Sequence, residues 1–195
     1  MGSTRSTQDC EEFSFSSKYK VKELLGEGAT SSVHRIEDIE TGESFACKII
    51  KIDGTDEVTS DGLTVTEQTL KEIEILKLVG GHENIISFHG FFRTASAFYL
   101  ILELCPGGEL LDLLEACGPL QEEKAAEYFN QLCLAVNHCH ARGVLHRDVK
   151  LENILLGQDG KIRLTDFGLA EIVRPQERLH GICGTPQYLA PEVWK

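Results

Sequence analysis

The chain has 195 residues, enough to bury a sizeable core as one domain or as two small lobes. Its composition, 42% hydrophobic and 26% charged, is ordinary for a folded globular protein and carries no mark of a disordered or membrane class. A net charge of −12 without a basic run argues against nucleic-acid binding, which needs cations to neutralise phosphates; an acidic surface instead attracts basic peptides.

Residues 1–18, rich in Ser and Thr, read as a flexible arm too polar to be a signal peptide. Met1-Gly2 followed by Ser6 also fits the short myristoylation pattern. No apolar run approaches the roughly 20 residues that span a bilayer, so no membrane partner is expected. The seven cysteines (Cys10, Cys47, Cys105, Cys117, Cys133, Cys139, Cys183) are odd in number and lack CxxC spacing, as in a reduced, cytoplasmic protein.

Short strands are predicted around Tyr19–Leu25, Ser32–Glu37 and Ser44–Ile50, with Thr41-Gly42 turning a hairpin. After a polar run, Asp53–Asp61, the segment Glu67–Val79 carries Leu70, Ile73, Leu76 and Leu78 at helical spacing. Two more strands, Ile85–Arg93 and Phe98–Leu102, precede a break at Pro106-Gly107-Gly108. Helices follow at Leu110–Ala116 and Gln121–Arg142, the second with Tyr128, Leu132 and Val136 on one face. Strands first and helices afterwards argue for an α+β fold with two lobes.

Gly26-Glu27-Gly28-Ala29-Thr30-Ser31 is a glycine loop whose small residues let backbone N–H groups approach phosphate oxygens. A dinucleotide-binding fold would need this loop to open a helix, with an acidic residue about 20 positions later. A strand follows instead, which removes a nicotinamide-dependent oxidoreductase from consideration. Lys48, in the apolar strand Ala46-Cys47-Lys48, needs a carboxylate partner; Glu72 on the next helix is the candidate, or Glu74 if the register is shifted.

The run His146-Arg147-Asp148-Val149-Lys150-Leu151-Glu152-Asn153 is followed by Asp166-Phe167-Gly168 and by Ala190-Pro191-Glu192. Phosphoryl transfer needs a carboxylate near the acceptor hydroxyl, a cation for the moving phosphoryl group, and oxygens that hold magnesium. Asp148, Lys150, Asn153 and Asp166 are residues of those types in that order.

From Tyr19 onward the sequence resembles the eukaryotic protein kinases. The resemblance implies a bilobal fold with a flexible arm at 1–18, a β-rich lobe and hinge at 19–105, and part of a helical lobe at 106–195. It implies ATP and Mg2+, with Asp148 and Lys150 catalytic and Asn153 and Asp166 holding the metal. For the nucleotide it implies Leu25, Gly26, Glu27, Gly28, Ala29, Thr30, Ser31, Val33, Ala46 and Lys48. Glu72, Leu102, Glu103, Cys105, Glu109 and Leu155 complete that set, Leu102 as gatekeeper and Glu103 and Cys105 through backbone groups.

Lys150 and the run Gly184-Thr185-Pro186-Gln187-Tyr188 resemble the serine/threonine branch, with Thr185 lining the acceptor site. Glu109 and Glu152 resemble the carboxylates that read basic residues before the acceptor. Ser31, Thr69-Leu70-Lys71-Glu72 and Cys183-Gly184-Thr185-Pro186 resemble the phosphorylase kinase gamma family, relatives of the calmodulin-dependent kinases. That resemblance implies glycogen phosphorylase as substrate, and calmodulin and regulatory subunits as partners of a full-length form.

The sequence departs from the family pattern at Val149 and Leu151 in the catalytic loop. Gly181 stands where the gamma family has a glutamate, leaving Arg147 to find another carboxylate, with Glu177 a candidate. No Ser, Thr or Tyr lies between Gly168 and Cys183, so phosphorylation within that stretch is not expected to switch the chain on. The chain stops three residues after Glu192, before the family's remaining helices. Two readings follow: an active serine/threonine kinase, or a shortened chain that binds nucleotide or a partner without turnover.

Overall fold

The computed structural model describes residues 15–28, 30–52, 62–174, 179 and 182–194. Cys10 and the start of the arm, Ala29, the polar run 53–61, Glu177 and Gly181 lie outside the described residues. The chain divides into two units, one reaching Lys71 and including Phe88–Leu104, the other formed by Glu72–Ser87 and everything from Cys105 onward.

In the first unit, apolar alternation produces five antiparallel strands: β1 (Tyr19–Glu27), β2 (Ser31–Asp38), β3 (Ser44–Lys51), β4 (Phe88–Arg93) and β5 (Ala97–Glu103). Their order is β1-β2-β3-β5-β4. The hairpin between β2 and β3 turns as predicted: Asp38 Oδ1 accepts the N–H groups of Glu40 and Thr41, both at 3.0 Å, and Gly42 takes φ 72°. Those backbone bonds, from Thr41 foremost, hold the Asp38 carboxyl below its ordinary range.

One sheet face carries Tyr19, Ile36, Phe45, Cys47 and Ile101, and Phe15 completes that cluster. The Phe15 ring stacks on Tyr99 at 4.4 Å and meets Phe92 edge-on at 5.5 Å. Residues 15–18 are therefore a packed helical turn, in contrast to the expected flexible arm, because Phe15 has a large apolar surface to cover.

Helix α1 (Val65–Val79) starts two residues earlier than predicted. Thr64 and Glu67 form a reciprocal capping box, Glu67 N–H to Thr64 Oγ1 at 3.2 Å and Thr64 N–H to Glu67 Oε2 at 2.9 Å. Its buried face is Thr69, Glu72, Ile73, Ile75, Leu76 and Val79, whereas Leu70 and Leu78 are exposed. The boundary between the units runs through this helix after Lys71.

The predicted strand at Ile85 begins only at Phe88. Asn84, buried, holds the chain within the second unit: its side chain donates to Gln131 and to the Ile162 carbonyl, each at 3.2 Å. Ile86 then donates to the Leu164 carbonyl at 3.0 Å.

The second unit contains α2 (Leu110–Cys117) and α3 (Glu122–Ala141). The buried face of α3 is Tyr128, Ala135 and Cys139. Four short strands were not foreseen: β6 (Val144–Leu145) pairs with β9 (Glu171–Ile172), and β7 (Ile154–Leu156) with β8 (Ile162–Leu164). Leu110, Tyr128, Ile154, Leu156 and Ile162 form its core. Gly107 lies so close to β7 that a Cβ there would sit 2.6 Å from the Leu156 Cβ. No helix among the described residues is long and apolar enough to cross a membrane.

Candidate active site

In the first unit, cross-strand register places several expected nucleotide residues on one face. Val33 opposes Lys48, Lys48 opposes Leu100, and Ala46 opposes Leu102. Directly opposed residues share a face, as do residues two apart, so Val33, Ala46, Lys48 and Leu102 lie on the side away from the Phe15 cluster. Glu103 opposes Phe45 and falls on the cluster side, which agrees with an expected role for its backbone rather than its carboxylate.

The glycine loop joins β1 to β2, with Gly26 opposite Val33, Glu27 opposite Ser32 and Gly28 N–H donating to the Ser31 carbonyl at 2.8 Å. A Cβ added at Gly26 would meet nothing within 4 Å, so packing within the chain does not demand a glycine there. Leu25 and Thr30 are exposed beside it, and Ala29 lies outside the described residues.

Glu72 is 5% exposed whereas Glu74 is exposed to solvent. A buried carboxylate requires a cation or donors, and an exposed one does not.

The second unit assembles the catalytic run. His146 is buried; its Nδ1 accepts the Asp148 N–H at 3.3 Å, so Nε2 carries the proton and donates to the Thr165 carbonyl at 2.9 Å. Burial holds its pKa below the ordinary value and the ring neutral, with Phe167 against it edge-on at 4.7 Å. The imidazole thus ties the residue before Asp166 to the residue before Val149.

Asn153 donates to the Asp148 carbonyl at 2.8 Å and to Asp148 Oδ2 at 3.0 Å. Lys150 Nζ lies 3.1 Å from Asp148 Oδ2 and donates to Thr185 Oγ1 at 3.1 Å. The Thr185 hydroxyl donates to Asp148 Oδ1 at 2.7 Å, and its N–H reaches the same oxygen at 2.9 Å. Burial raises the Asp148 carboxyl, but the Thr185 hydroxyl and the Lys150 ammonium outweigh it and keep the group below its usual range. Burial likewise depresses Lys150, and the Asp148 carboxylate more than restores it, so its pKa is raised. Both stay charged at neutral pH.

Two residues here take left-handed backbone, Arg147 at φ 67° and Asp166 at φ 59°. Such strain in non-glycine residues is held by surrounding structure and collects at functional sites. At Asp166 it directs the carboxylate outward while Phe167 is buried. Asn153 spends its amide nitrogen on Asp148, and its remaining oxygen with the Asp166 carboxylate is a hard-oxygen set of the kind magnesium takes. No cluster of three His, Cys, Asp or Glu able to hold a metal occurs among the described residues.

The remaining site residues fall nearby in this unit. Glu109 precedes α2 and bridges to Leu155 on β7, while Cys105 accepts the Gly108 N–H at 3.2 Å. Burial, then the charges of Asp112 and Glu152, raise the Glu109 pKa, and Glu152 Oε2 is buried without a hydrogen-bond partner. Arg147, for which the sequence offered Glu177, outside the described residues, donates to Glu171 Oε2 at 3.3 Å and to the Leu169 carbonyl at 2.7 Å. Glu171 was not anticipated, because the β6–β9 pairing that delivers it has no periodic signal. Gly184, at φ 109°, packs so tightly that a Cβ would collide with the Arg147 carbonyl oxygen.

The family pattern described as "Protein kinase domain" matches residues 19–195. Among similar proteins, CBL-interacting protein kinase 2 of Oryza sativa subsp. japonica is 41% identical over 179 residues, covering 90% of this chain and 39% of that protein. CBL-interacting serine/threonine-protein kinase 15 of Arabidopsis thaliana is 40% identical over 179 residues, 90% of this chain and 41% of the relative. Serine/threonine-protein kinase PEPKR2 of Arabidopsis thaliana is 39% identical over 170 residues, 87% and 33%. The chain thus spans about two fifths or less of these relatives. With a match that runs through both units and includes every residue of the Asp148 network, the chain belongs to the protein kinase domain family, on its serine/threonine side.

Proposed function

We propose that the protein, in its full-length form, transfers the γ-phosphate of ATP to serine or threonine in substrates that carry basic residues before the acceptor. The observation that carries this reading is the Thr185 hydroxyl seated between Asp148 Oδ1 at 2.7 Å and Lys150 Nζ at 3.1 Å. The same carboxylate and ammonium can receive an acceptor hydroxyl. Asp148, with its lowered pKa, is a weak base, so its main work is to orient the hydroxyl; a loose phosphoryl-transfer transition state asks little more. Lys150 offers positive charge to the moving phosphoryl group.

Gly26, Gly28, Val33, Ala46, Lys48 and Leu102 would receive the nucleotide. Asn153 and Asp166 would hold magnesium, which when bound neutralises charge on the phosphate oxygens.

Basic specificity is supported by the crowding of Glu109, Asp112 and Glu152, where an unpartnered carboxylate oxygen and a raised pKa both ask for a cation. Matched peptides with and without arginine before the serine test it. The basic peptide should show a KM lower by about tenfold, the worth of a charge-assisted hydrogen bond, and Glu152→Gln should erase the difference. Equal KM values would contradict it.

The narrower resemblance to phosphorylase kinase gamma rests on short runs, and the plant relatives match without sharing that name. Glycogen phosphorylase, calmodulin with regulatory subunits, and a partner of the CBL type are the candidates to try with the full-length protein. Unbridged thiols throughout the described residues, with Cys47 pushed up to about 12 and Cys139 to about 11 by burial, suit a cytoplasmic location. A second reading is partner binding without turnover. It predicts binding of MgATP or a partner with no transfer.

A further inference from the structure

The position of Arg147 has a cost that some anion must offset. Its side chain is 17% exposed, its backbone is left-handed at φ 67°, and it immediately precedes Asp148. A guanidinium this far from water, in a strained loop, needs a fixed counter-charge. Glu171 provides one at 3.3 Å, itself 26% exposed, while the Leu169 carbonyl accepts from Arg147 Nε at 2.7 Å.

The backbone delivers that carboxylate. Leu145 opposes Glu171 in the β6–β9 pair, and Val173 N–H donates to the Gly143 carbonyl at 2.7 Å. The same arginine also meets the far end of the segment, where its carbonyl abuts Gly184 next to Thr185. One residue therefore holds both the start and the end of the stretch between Gly168 and Thr185. That stretch has no hydroxyl-bearing residue before Cys183.

We infer that Glu171 is the resident counter-ion of Arg147: a positioning residue that keeps the Asp148 loop in its working conformation without any phosphate in the segment. This rests on the kinase reading above. Glu171 acts through Arg147 on the adjacent Asp148. Since the cation is already paired, the isosteric loss of one charge should do what dephosphorylation does elsewhere.

The test uses full-length protein treated with phosphatase and shown by intact mass to carry no phosphate. The phosphate-free wild type should keep its kcat within about twofold of untreated protein, while Glu171→Gln should lose about tenfold or more in kcat. KM for MgATP should not move, and Glu171→Asp should recover part of the loss, which a general loss of structure would not produce. A Glu171→Gln variant with wild-type kcat, or a wild type silenced by phosphatase, would overturn the inference. Amide exchange separates this from failure of the kinase reading. If no form transfers phosphate, the kinase reading falls, yet faster exchange at Val173 in Glu171→Gln would still support the pair and unchanged exchange would overturn it.

Discussion

The sheet of the first unit and the catalytic loop of the second are held by different forces. The sheet is a ladder of regular pairs in which β2, β3 and β5 stay in unbroken register from Ser31 to Glu103, with fully buried Phe98, Leu100 and Ile36. The loop has little regular pairing; His146, Asp148, Asn153 and Arg147 are fixed by side-chain bonds to one another and to backbone, and two residues are left-handed. Repetitive apolar packing tolerates local error, whereas a polar network in a shielded site fails when one member is removed. Damage to the sheet should therefore appear as lost stability, and damage to the loop as lost rate.

The largest expected effect lies in the sheet. Phe98→Ala, at a fully buried ring, should lower unfolding free energy by about 3–5 kcal/mol in denaturant titration. Lys150→Ala comes next and should behave in the opposite way. Among the described residues its side chain contacts Asp148 and Thr185, so kcat should fall by about 10²–10³-fold while the midpoint of unfolding moves little. If Lys150→Ala unfolds the protein as readily as Phe98→Ala, the distinction between the two regions collapses.

Acid sharpens the same contrast. The folded-state pKa of Asp148 is depressed, so the stability it contributes is present above its ordinary value of 3.8 and is lost as pH falls through the lower folded value. Asp148→Asn should flatten that acid limb in a pH series of unfolding curves, whereas Phe98→Ala should shift the whole curve without changing its slope. The smallest effect belongs to a helix end: Thr64→Ala removes half of the capping box and should cost about 1 kcal/mol, read in the same titration.

What could be read from the sequence follows the same division. β1, β2, β3 and β5 were legible because alternation and turn residues repeat over several positions, whereas the shared face of Val33, Ala46, Lys48 and Leu102 came only with the strand register. Asp148, Lys150 and Asn153 were legible as residue types in order, and in the second unit Asp148 contacts both of the others. β6 to β9 were not, since strands of two or three residues are too short for a period to show. The late start of β4 depended on Asn84 reaching residues 131 and 162, a long-range polar match that no local window contains. Glu171 was hidden for the same reason: its partner stands 24 residues earlier, and Phe15 was read as arm because its ring partners lie on β1, β4 and β5.

The most direct test of the central claim is transfer of labelled γ-phosphate from MgATP to a serine peptide with upstream arginines, using full-length wild type and Asp148→Ala side by side. The account predicts phosphoserine from the wild type and a fall of about 10²–10⁴-fold in the variant. Phosphoserine formed equally by both proteins would contradict it.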